Sequence, residues 1–298
     1  MNTISNCPVC QSPDLHPYLE VRDLFLTNET FVIRICPNCG CGITDPRPTA
    51  EEIARYYQSR SYISHSASSK GLLNKLYLIA RNYTLWKKYN LIRTQSRQSP
   101  GTILDIGCGS GDFLGYFQKR KWETLGIEPD EPTRQAAMRN YPLHIGGSEL
   151  FTQIPTRSHH VITLWHSLEH IAGLHETFAQ VKRILRPDGV LFIAVPNYTS
   201  RDAAFYGPYW AAWDVPRHLV HFTPQTMDRL VRQYGLKIQC SLPMKLDAYY
   251  ISMLSERYQH GRVNYLRAIR NGWRSNRYAR SHENTFSSLI YVIKPENA

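Results

Sequence analysis

Four of the chain's seven cysteines fall into two C-x-x-C pairs, Cys7-Pro8-Val9-Cys10 and Cys36-Pro37-Asn38-Cys39. Each pair sets two thiolates on one tight turn, the bite that a tetrahedral zinc requires. With four protein ligands the metal keeps no open position, so its role would be structural. A redox C-x-x-C competes as a reading, but it would not occur twice in one chain. Cys41, beside the second pair, is a spare thiol or an alternative ligand. A second constellation is Asp105-Ile106-Gly107-Cys108-Gly109-Ser110-Gly111. Glycines allow positive φ and bring a ligand close to bare backbone. A helix starting near Asp112 aims its free N–H groups back at that loop. The Asp105 carboxylate, two residues before the first glycine, suits a cationic ligand better than a pyrophosphate. Glu128, in Leu125-Gly126-Ile127-Glu128-Pro129-Asp130, is a second acid about 20 residues on, the spacing used to hold ribose hydroxyls. A dinucleotide fingerprint reads G-x-G-x-x-G, whereas this loop reads G-x-G-x-G. A nicotinamide or flavin site, or a loop without ligand, remains the alternative.

Two further stretches could do proton chemistry. The run Val161 to His170 ends a strand and continues as Trp165-His166-Ser167-Leu168-Glu169-His170. Glu169 and His170 could simply begin and cap the next helix. The run Tyr206 to Phe222 is rich in aromatics, His and Arg. Tyr209, Trp210 and Trp213 can keep water out, Arg217 can hold an anion, and a buried imidazole near neutral pKa can accept a proton from a hydroxyl. Arg217 would also hold the neighbouring His218 neutral, because a nearby like charge lowers its pKa. The catalytic candidates are therefore His218 first and His166 second, with Tyr209 beside them; a core role competes for each histidine.

These groups need elements to position them. Tyr18–Arg22 and Glu29–Ile35 read as short ribbon strands between the cysteine pairs. Asp45-Pro46-Arg47-Pro48 closes the ribbon. Thr49-Ala50-Glu51-Glu52 reads as an N-cap and first turn, followed by a helix through Ile53, Tyr56 and Tyr57. His65–Gly71 is serine-rich and reads as a mobile lid, and Leu72–Ser96 as a long helix whose tyrosines and Trp86 pack. From Pro100 strand and helix alternate. The strands are Thr102–Ile106, Glu123–Ile127, a short one near His144, Val161–Leu164 and Gly189–Val195. The helices are Phe113–Lys121, Thr133–Asn140 and His175–Leu185. A helix at Met227–Tyr234 and strands at Leu236–Leu242 and Ser287–Ile293 complete a doubly wound sheet. The implied domains are a ribbon (1–48), a helical linker or cap (49–99) and an α/β domain (100–298). The last carries an arginine-rich insert at about 245–286, where Tyr265, Leu266, Ile269 and Trp273 recur at helical spacing.

The run Asp105-Ile-Gly-Cys-Gly-Ser-Gly resembles the first motif of class I S-adenosylmethionine-dependent methyltransferases. The resemblance implies a seven-stranded Rossmann-like sheet and S-adenosylmethionine as cofactor. It places Asp105 near the methionine moiety and Glu128 at the ribose, with Gly107, Cys108, Gly109, Gly111, Pro129 and Trp165 completing the pocket. His166-Ser-Leu-Glu-His resembles a His-x-Leu-Glu-His run of the small-molecule members. That family usually has Phe-Asp entering the strand where this chain has His159-His160, with no expected loss of cofactor binding. Ribbon plus sheet is also similar to sugar C-methyltransferases of deoxysugar pathways, which carry a further C-terminal domain that is not expected here.

Composition bounds the partners. The chain has 298 residues, 42% apolar, with no basic-then-apolar start and no run of membrane-span length. Paired cysteines without an export signal imply reduced thiols and a cytoplasmic protein. The formal net charge of +11 points to an anionic partner: nucleic acid, a phosphorylated small molecule or a lipid surface. The expected function is methyl transfer to a small, anionic acceptor such as a sugar, lipid-linked or natural-product intermediate. An RNA methyltransferase gripping through ribbon and arginines, and a non-catalytic cofactor-binding scaffold, are the rivals. Peripheral membrane contact is a further option for the arginine segment.

Overall fold

The computed structural model describes residues 1–49, 51–57 and 72–296, with side chains from Arg81 onward in the first long helix. The ribbon is built on β1 (His16–Arg22), β2 (Thr30–Ile35) and β3 (Gly42–Asp45), paired antiparallel. Asp23 shapes the first turn by accepting the N–H groups of Leu26 and Thr27 and the Thr27 hydroxyl. Alternation on β2 buries Phe31 and Ile33, which pack with Tyr56, Trp210 and Trp213. Thr49 and Glu52 form the reciprocal capping box that their spacing suggests. The helix expected after them is a single 3-10 turn, Ile53–Tyr56, held by the buried Tyr56. The lid expected at 65–71 lies outside the described residues.

The long helix is Leu72–Ser96. Tyr83 and Trp86 stack on one another at the surface, 45% and 52% exposed, so the packing expected of them belongs to Leu85 and Ile92 instead. Then follow β4 (Thr102–Ile106), the helix Asp112–Gln118, β5 (Glu123–Ile127), the helix Glu131–Asn140 and β6 (His144–Gly146). Next come β7 (His159–Trp165), the helix Leu174–Ile184, β8 (Leu185–Pro196), the helix Arg201–Tyr206 and β9 (Val220–His221). The chain ends with the helix Pro224–Arg232, β10 (Leu236–Pro243), helices Asp247–His260 and Tyr265–Ala279, and β11 (Ser288–Pro295).

A seven-stranded sheet has the order β10-β11-β8-β7-β4-β5-β6, with β4 parallel to both β5 and β7 and β5 parallel to β6. The order reverses between β4 and β7, the switch point where open α/β sheets bind ligands. Coverage on both faces explains the unbroken apolar run Val190–Val195, every residue of it buried. This is the seven-stranded Rossmann-like sheet expected, with the last strand of the chain slotted between β8 and β10.

The chain divides into two compact units, residues 1–59, 166–176 and 194–291 in one, and 60–165, 177–193 and 292–298 in the other. The ribbon belongs to the first. Its sheet is completed by β9, which pairs antiparallel with β3 from nearly 180 residues away. Among the described residues, no helix is long and apolar enough to cross a membrane.

Candidate active site

The second unit carries the glycine loop. Asp105 lies in β4, buried, and accepts a hydrogen bond from Thr163 Oγ1 at 2.6 Å. Burial pushes its carboxyl up to about 7, against the opposing pull of Thr163 and the Lys88 charge. Gly109 and Gly111 take φ of 51° and 74°, a region closed to most side chains. A Cβ on Gly109 would meet nothing within 4 Å, whereas one on Gly111 would press Leu143 at 2.9 Å. The loop is thus open at Gly109 and packed at Gly111. Glu128, just past β5, accepts from Gly109 N–H at 2.9 Å and from Asp130 N–H at 3.0 Å, and burial raises its pKa. Gly107 N–H donates to the Ile127 carbonyl at 2.7 Å, tying the loop to β5.

Cys108 turns under the loop, with its Sγ 2.8 Å from where a Gly126 Cβ would stand, so it packs and lines nothing open. Pro129 is exposed, its carbonyl 3.4 Å from Arg134 Nη1. Trp165 is half-buried, stacked on Phe192 and edge-on to Phe113, with Lys88 Nζ 4.1 Å above its ring. His159 and His160 sit at the other end of β7, where His160 bonds Thr102.

The first unit carries the histidines. His166 has φ 52°, and its two ring nitrogens lie 3.3 Å from Glu169 Oε1 and 3.1 Å from Asp247 Oδ2. Against burial, which would lower it, these carboxylates hold the imidazole up to about 10. It is an imidazolium at neutral pH and not a free base. His218 is the opposite case. Its Nδ1–H donates to the Ala212 carbonyl at 2.9 Å, which fixes the tautomer and leaves Nε2 with a bare lone pair. That atom lies 4.0 Å from Glu169 Oε1 and 3.9 Å from Asp214 Oδ2, beyond hydrogen-bond range. Burial, then the neighbouring His170, pushes the ring down to about 4. His170 meets the His218 ring edge-on, and its Nδ1 is 3.0 Å from both the Arg217 carbonyl and the Tyr57 hydroxyl.

The role expected of Arg217 needs correction. Its guanidinium is 1% exposed and satisfied by Asp23 at 2.7 Å, Asp214 at 2.7 Å and the Tyr56 carbonyl at 3.0 Å. It neither awaits an anion nor lowers His218, whose low pKa comes from burial and His170. Tyr209 is 38% exposed, while Trp210 and Trp213 are buried, so the tryptophans make the dry wall and Tyr209 stands outside it.

Two groups could hold a cation. The thiols of Cys7, Cys10, Cys36 and Cys39 lie within 4.8 Å of one another, with Cys7–Cys39 and Cys10–Cys36 at 3.5 Å. A tetrahedral zinc with Zn–S of about 2.3 Å has S–S edges of about 3.8 Å, so the set fits that ion. Cys41 is buried outside the four, and its thiol donates to the Gly42 carbonyl. The turns carrying these thiols are anchored to the first unit. Thr226 Oγ1 donates to the Cys39 carbonyl at 2.9 Å, Gln233 to Val9 at 2.9 Å and Tyr198 to Gly40 at 2.6 Å. Glu169, His170 and His218 also place one ligand atom each within 4.8 Å of the others, and Glu169 Oε2 is buried with no partner among the described residues.

A methyltransferase-domain family matches residues 77–241, more than half of the chain. The chain belongs to the class I S-adenosylmethionine-dependent methyltransferases. It is 27% identical over 110 residues to trans-aconitate 2-methyltransferase of Acidovorax sp. (strain JS42), covering 36% of this chain and 43% of that protein. The chain thus spans less than half the length of that relative. It is 26% identical over 192 residues to a ubiquinone biosynthesis O-methyltransferase of Nitrosococcus oceani, covering 59% and 79% of the two. Geranyl diphosphate C-methyltransferase from Streptomyces coelicolor A3(2), solved with Mg2+, geranyl diphosphate and S-adenosyl-L-homocysteine, shares the fold with a TM-score of 0.56 at 14% identity. That match covers 84% of this chain and 99% of that one.

In this chain several groups have no local sequence signal. Thr163 and Lys88 flank Asp105, and Asp247 and Asp214 flank the histidines, from positions with no local motif. Asp112 was visible only as a helix start, yet it gathers Arg81, Tyr141 and Ser110. Its place in the first turn, directly after the glycines, was the available signal.

Proposed function

We propose that this chain transfers the methyl group of S-adenosylmethionine to a hydroxyl of a small molecule. The observation carrying the cofactor half is the pair of acids around the open loop. Asp105 is a buried carboxyl with no full counter-charge, and Glu128 is held at the loop by the Gly109 N–H. A cationic ligand with a ribose suits that pair, and a pyrophosphate does not. Asp105 would hold the methionine end, Glu128 the ribose, and the backbone of Gly107, Gly109 and Gly111 would line the approach, with Trp165 beside them. Bound there, the cofactor supplies an electrophilic methyl carbon.

The chain's own contribution is to position the acceptor and take its proton. His218 is the base, because its tautomer is fixed and Nε2 is bare. Glu169 and Asp214, 4.0 Å and 3.9 Å away, stabilise the imidazolium as it forms. His166, already protonated, orients Glu169 rather than accepting a proton. Trp210 and Trp213 exclude water. The relatives named for ubiquinone biosynthesis and trans-aconitate support a small acceptor. An anionic one loses its expected grip once Arg217 is neutralised. The four thiols hold one structural zinc. Zinc clips the ribbon whose β3 pairs with β9, next to His218, and Thr44 Oγ1 donates to the His218 carbonyl at 2.6 Å.

The buried, partnerless Glu169 Oε2 favours a second reading, in which Glu169, His170 and His218 bind a divalent cation that grips the acceptor. Metal analysis separates the two: one metal per chain is expected, and a second lost on Glu169→Gln would replace the base with a cation. Calorimetry with S-adenosylmethionine and NAD, followed by labelled-methyl transfer to small hydroxyl acceptors and to RNA, tests the rest. Binding of S-adenosylmethionine alone and labelling of a small acceptor are expected. Labelled RNA, tight NAD binding or cofactor binding without any transfer would each replace the proposal.

A further inference from the structure

The helix Tyr265–Ala279 is packed inside out. The periodicity of Tyr265, Leu266, Ile269 and Trp273 marks a face that ordinarily turns inward. Instead these residues are 65%, 84%, 54% and 49% exposed. The buried positions are small or polar: Ala268, Asn271, Gly272, Ser275, Asn276 and Ala279. Hydrogen bonds fix that register. Asn271 Nδ2 donates to the Tyr206 hydroxyl at 3.1 Å, Ser275 Oγ to Asp202 at 2.6 Å and Asn276 Nδ2 to the Lys245 carbonyl at 2.9 Å. A Cβ on Gly272 would stand 2.7 Å from the Tyr249 ring, so only glycine permits this approach of the helix to its neighbour. Rotating the apolar stripe inward would strand three buried polar bonds and lose that fit.

The charge around the stripe has one sign. From Arg257 to His282 the sequence holds seven arginines and no Asp or Glu. Arg267 is spoken for by Glu256 at 3.1 Å, and Arg277 lies 5.2 Å from the Trp273 ring centre. Arg262, Arg270, Arg274 and Arg280 are exposed, and among the described residues none has a carboxylate partner.

We infer that this helix lies on an anionic lipid surface, with Leu266, Ile269 and Trp273 entering the headgroup–acyl boundary and the arginines on lipid phosphates. The three apolar residues stand at i, i+3 and i+7, one stripe along the axis. RNA offers phosphate but no apolar layer for Leu266 and Ile269. A second copy of the chain would set arginine against arginine. A lipid leaflet supplies both chemistries at once.

The inference is independent of the methyl acceptor. It is tested by sedimenting the full chain with phosphatidylcholine vesicles with and without phosphatidylglycerol. Binding only to the phosphatidylglycerol vesicles is expected, weakening with salt. Arg270→Gln and Arg274→Gln should each weaken it roughly fivefold. The pair Leu266→Gln and Ile269→Gln should weaken it at least tenfold at unchanged charge. All four sites are exposed, and unchanged S-adenosylmethionine affinity by calorimetry reports that the variants are folded. Failure of the methyltransfer proposal would show in that calorimetry and not in the vesicles. No pelleting with phosphatidylglycerol, or pelleting indifferent to Leu266 and Ile269, overturns the inference. So does a dimer in light scattering that dissolves in the Leu266→Gln, Ile269→Gln variant, or arginine-dependent RNA binding in place of lipid.

Discussion

The cofactor loop and the histidine cluster solve the same problem, placing charge where water is scarce, in opposite ways. The loop is local. Asp105, the glycines and Glu128 span one strand, one turn and the next strand, and their contacts are mostly backbone. The cluster is assembled. Asp23, Thr44, Glu169, the Asp214–His218 turn and Asp247 come from five separate places in the chain and meet mostly through side chains. Electrostatics differ likewise. The loop leaves its buried acid undercompensated, which suits a cationic ligand. The cluster compensates nearly everything: Arg217 has two carboxylates and His166 has two, while His218 Nε2 stays 4.0 Å and 3.9 Å from its carboxylates and Glu169 Oε2 has no partner among the described residues. A binding site tolerates local definition, whereas a base needs its tautomer, neighbours and dryness fixed together.

The largest expected effect removes the proposed base. His218→Ala should lower single-turnover methyl transfer by about 10²–10⁴ while cofactor affinity stays unchanged. His218→Gln should be nearly as slow, because it keeps the shape and offers no base. Full rates in both variants would reduce the cluster to packing and erase the contrast between the units. The next effect is indirect. Cys36→Ser should release the zinc, and with it the ribbon's hold on β9 and the His218 carbonyl. Turnover should then fall roughly tenfold or more, with S-adenosylmethionine affinity within about twofold of wild type. A variant that keeps its metal, or loses cofactor binding first, would contradict this division of labour.

The same contrast decides what the sequence could reveal. Glycines at forced φ, an acid two residues before them and another after the next strand are near neighbours in sequence, so the loop and almost every strand of the large sheet were legible. The C-x-x-C pairs were legible for the same reason. The cluster was not. His218 stood out by composition, but its tautomer depends on Ala212 and its low pKa on burial and His170, neither visible in a motif. Arg217 read as an anion grip because Asp23, its partner at 2.7 Å, lies 194 residues away. The inverted helix misled for a related reason. Periodicity reports which residues share a face, and long-range partners such as Tyr206 and Asp202 decide which face turns inward.

A separate effect tests the loop alone. Glu128→Ala should remove charged hydrogen bonds to the ribose and release the Gly109 N–H, weakening S-adenosylmethionine by about 1.5–3 kcal/mol in calorimetry. Maximal turnover at saturating cofactor should change little, because the cluster in the other unit is untouched. An unchanged affinity would remove Glu128 from the site.

The smallest effect is a pH dependence, and its sign distinguishes the units. Asp105, raised by burial to about 7 from 3.8, keeps its proton in the folded protein over a range where the unfolded chain has lost it. Folded molecules then bind more protons, so this group's contribution to stability falls as pH rises from about 4 to 7 and is constant above. His218, lowered to about 4 from 6.5, works the other way: its contribution is present above 6.5 and lost as pH falls towards 4. His166, raised to about 10, contributes fully below 6.5 and loses that contribution as pH climbs through 10. A cation bound beside Asp105 favours the carboxylate, so cofactor binding should expel a proton below pH 7. Affinity should therefore rise with pH by at most tenfold per unit up to about 7, then level off. Asp105→Asn, which cannot ionise, should bind more weakly above pH 7 and lose that slope. The difference between wild type and variant isolates Asp105 from both histidines and from the cofactor's own titration. Calorimetry in buffers of different ionisation enthalpy reads the expelled proton directly. A slope that survives in Asp105→Asn would mean that the buried acid is not what meets the cofactor's charge.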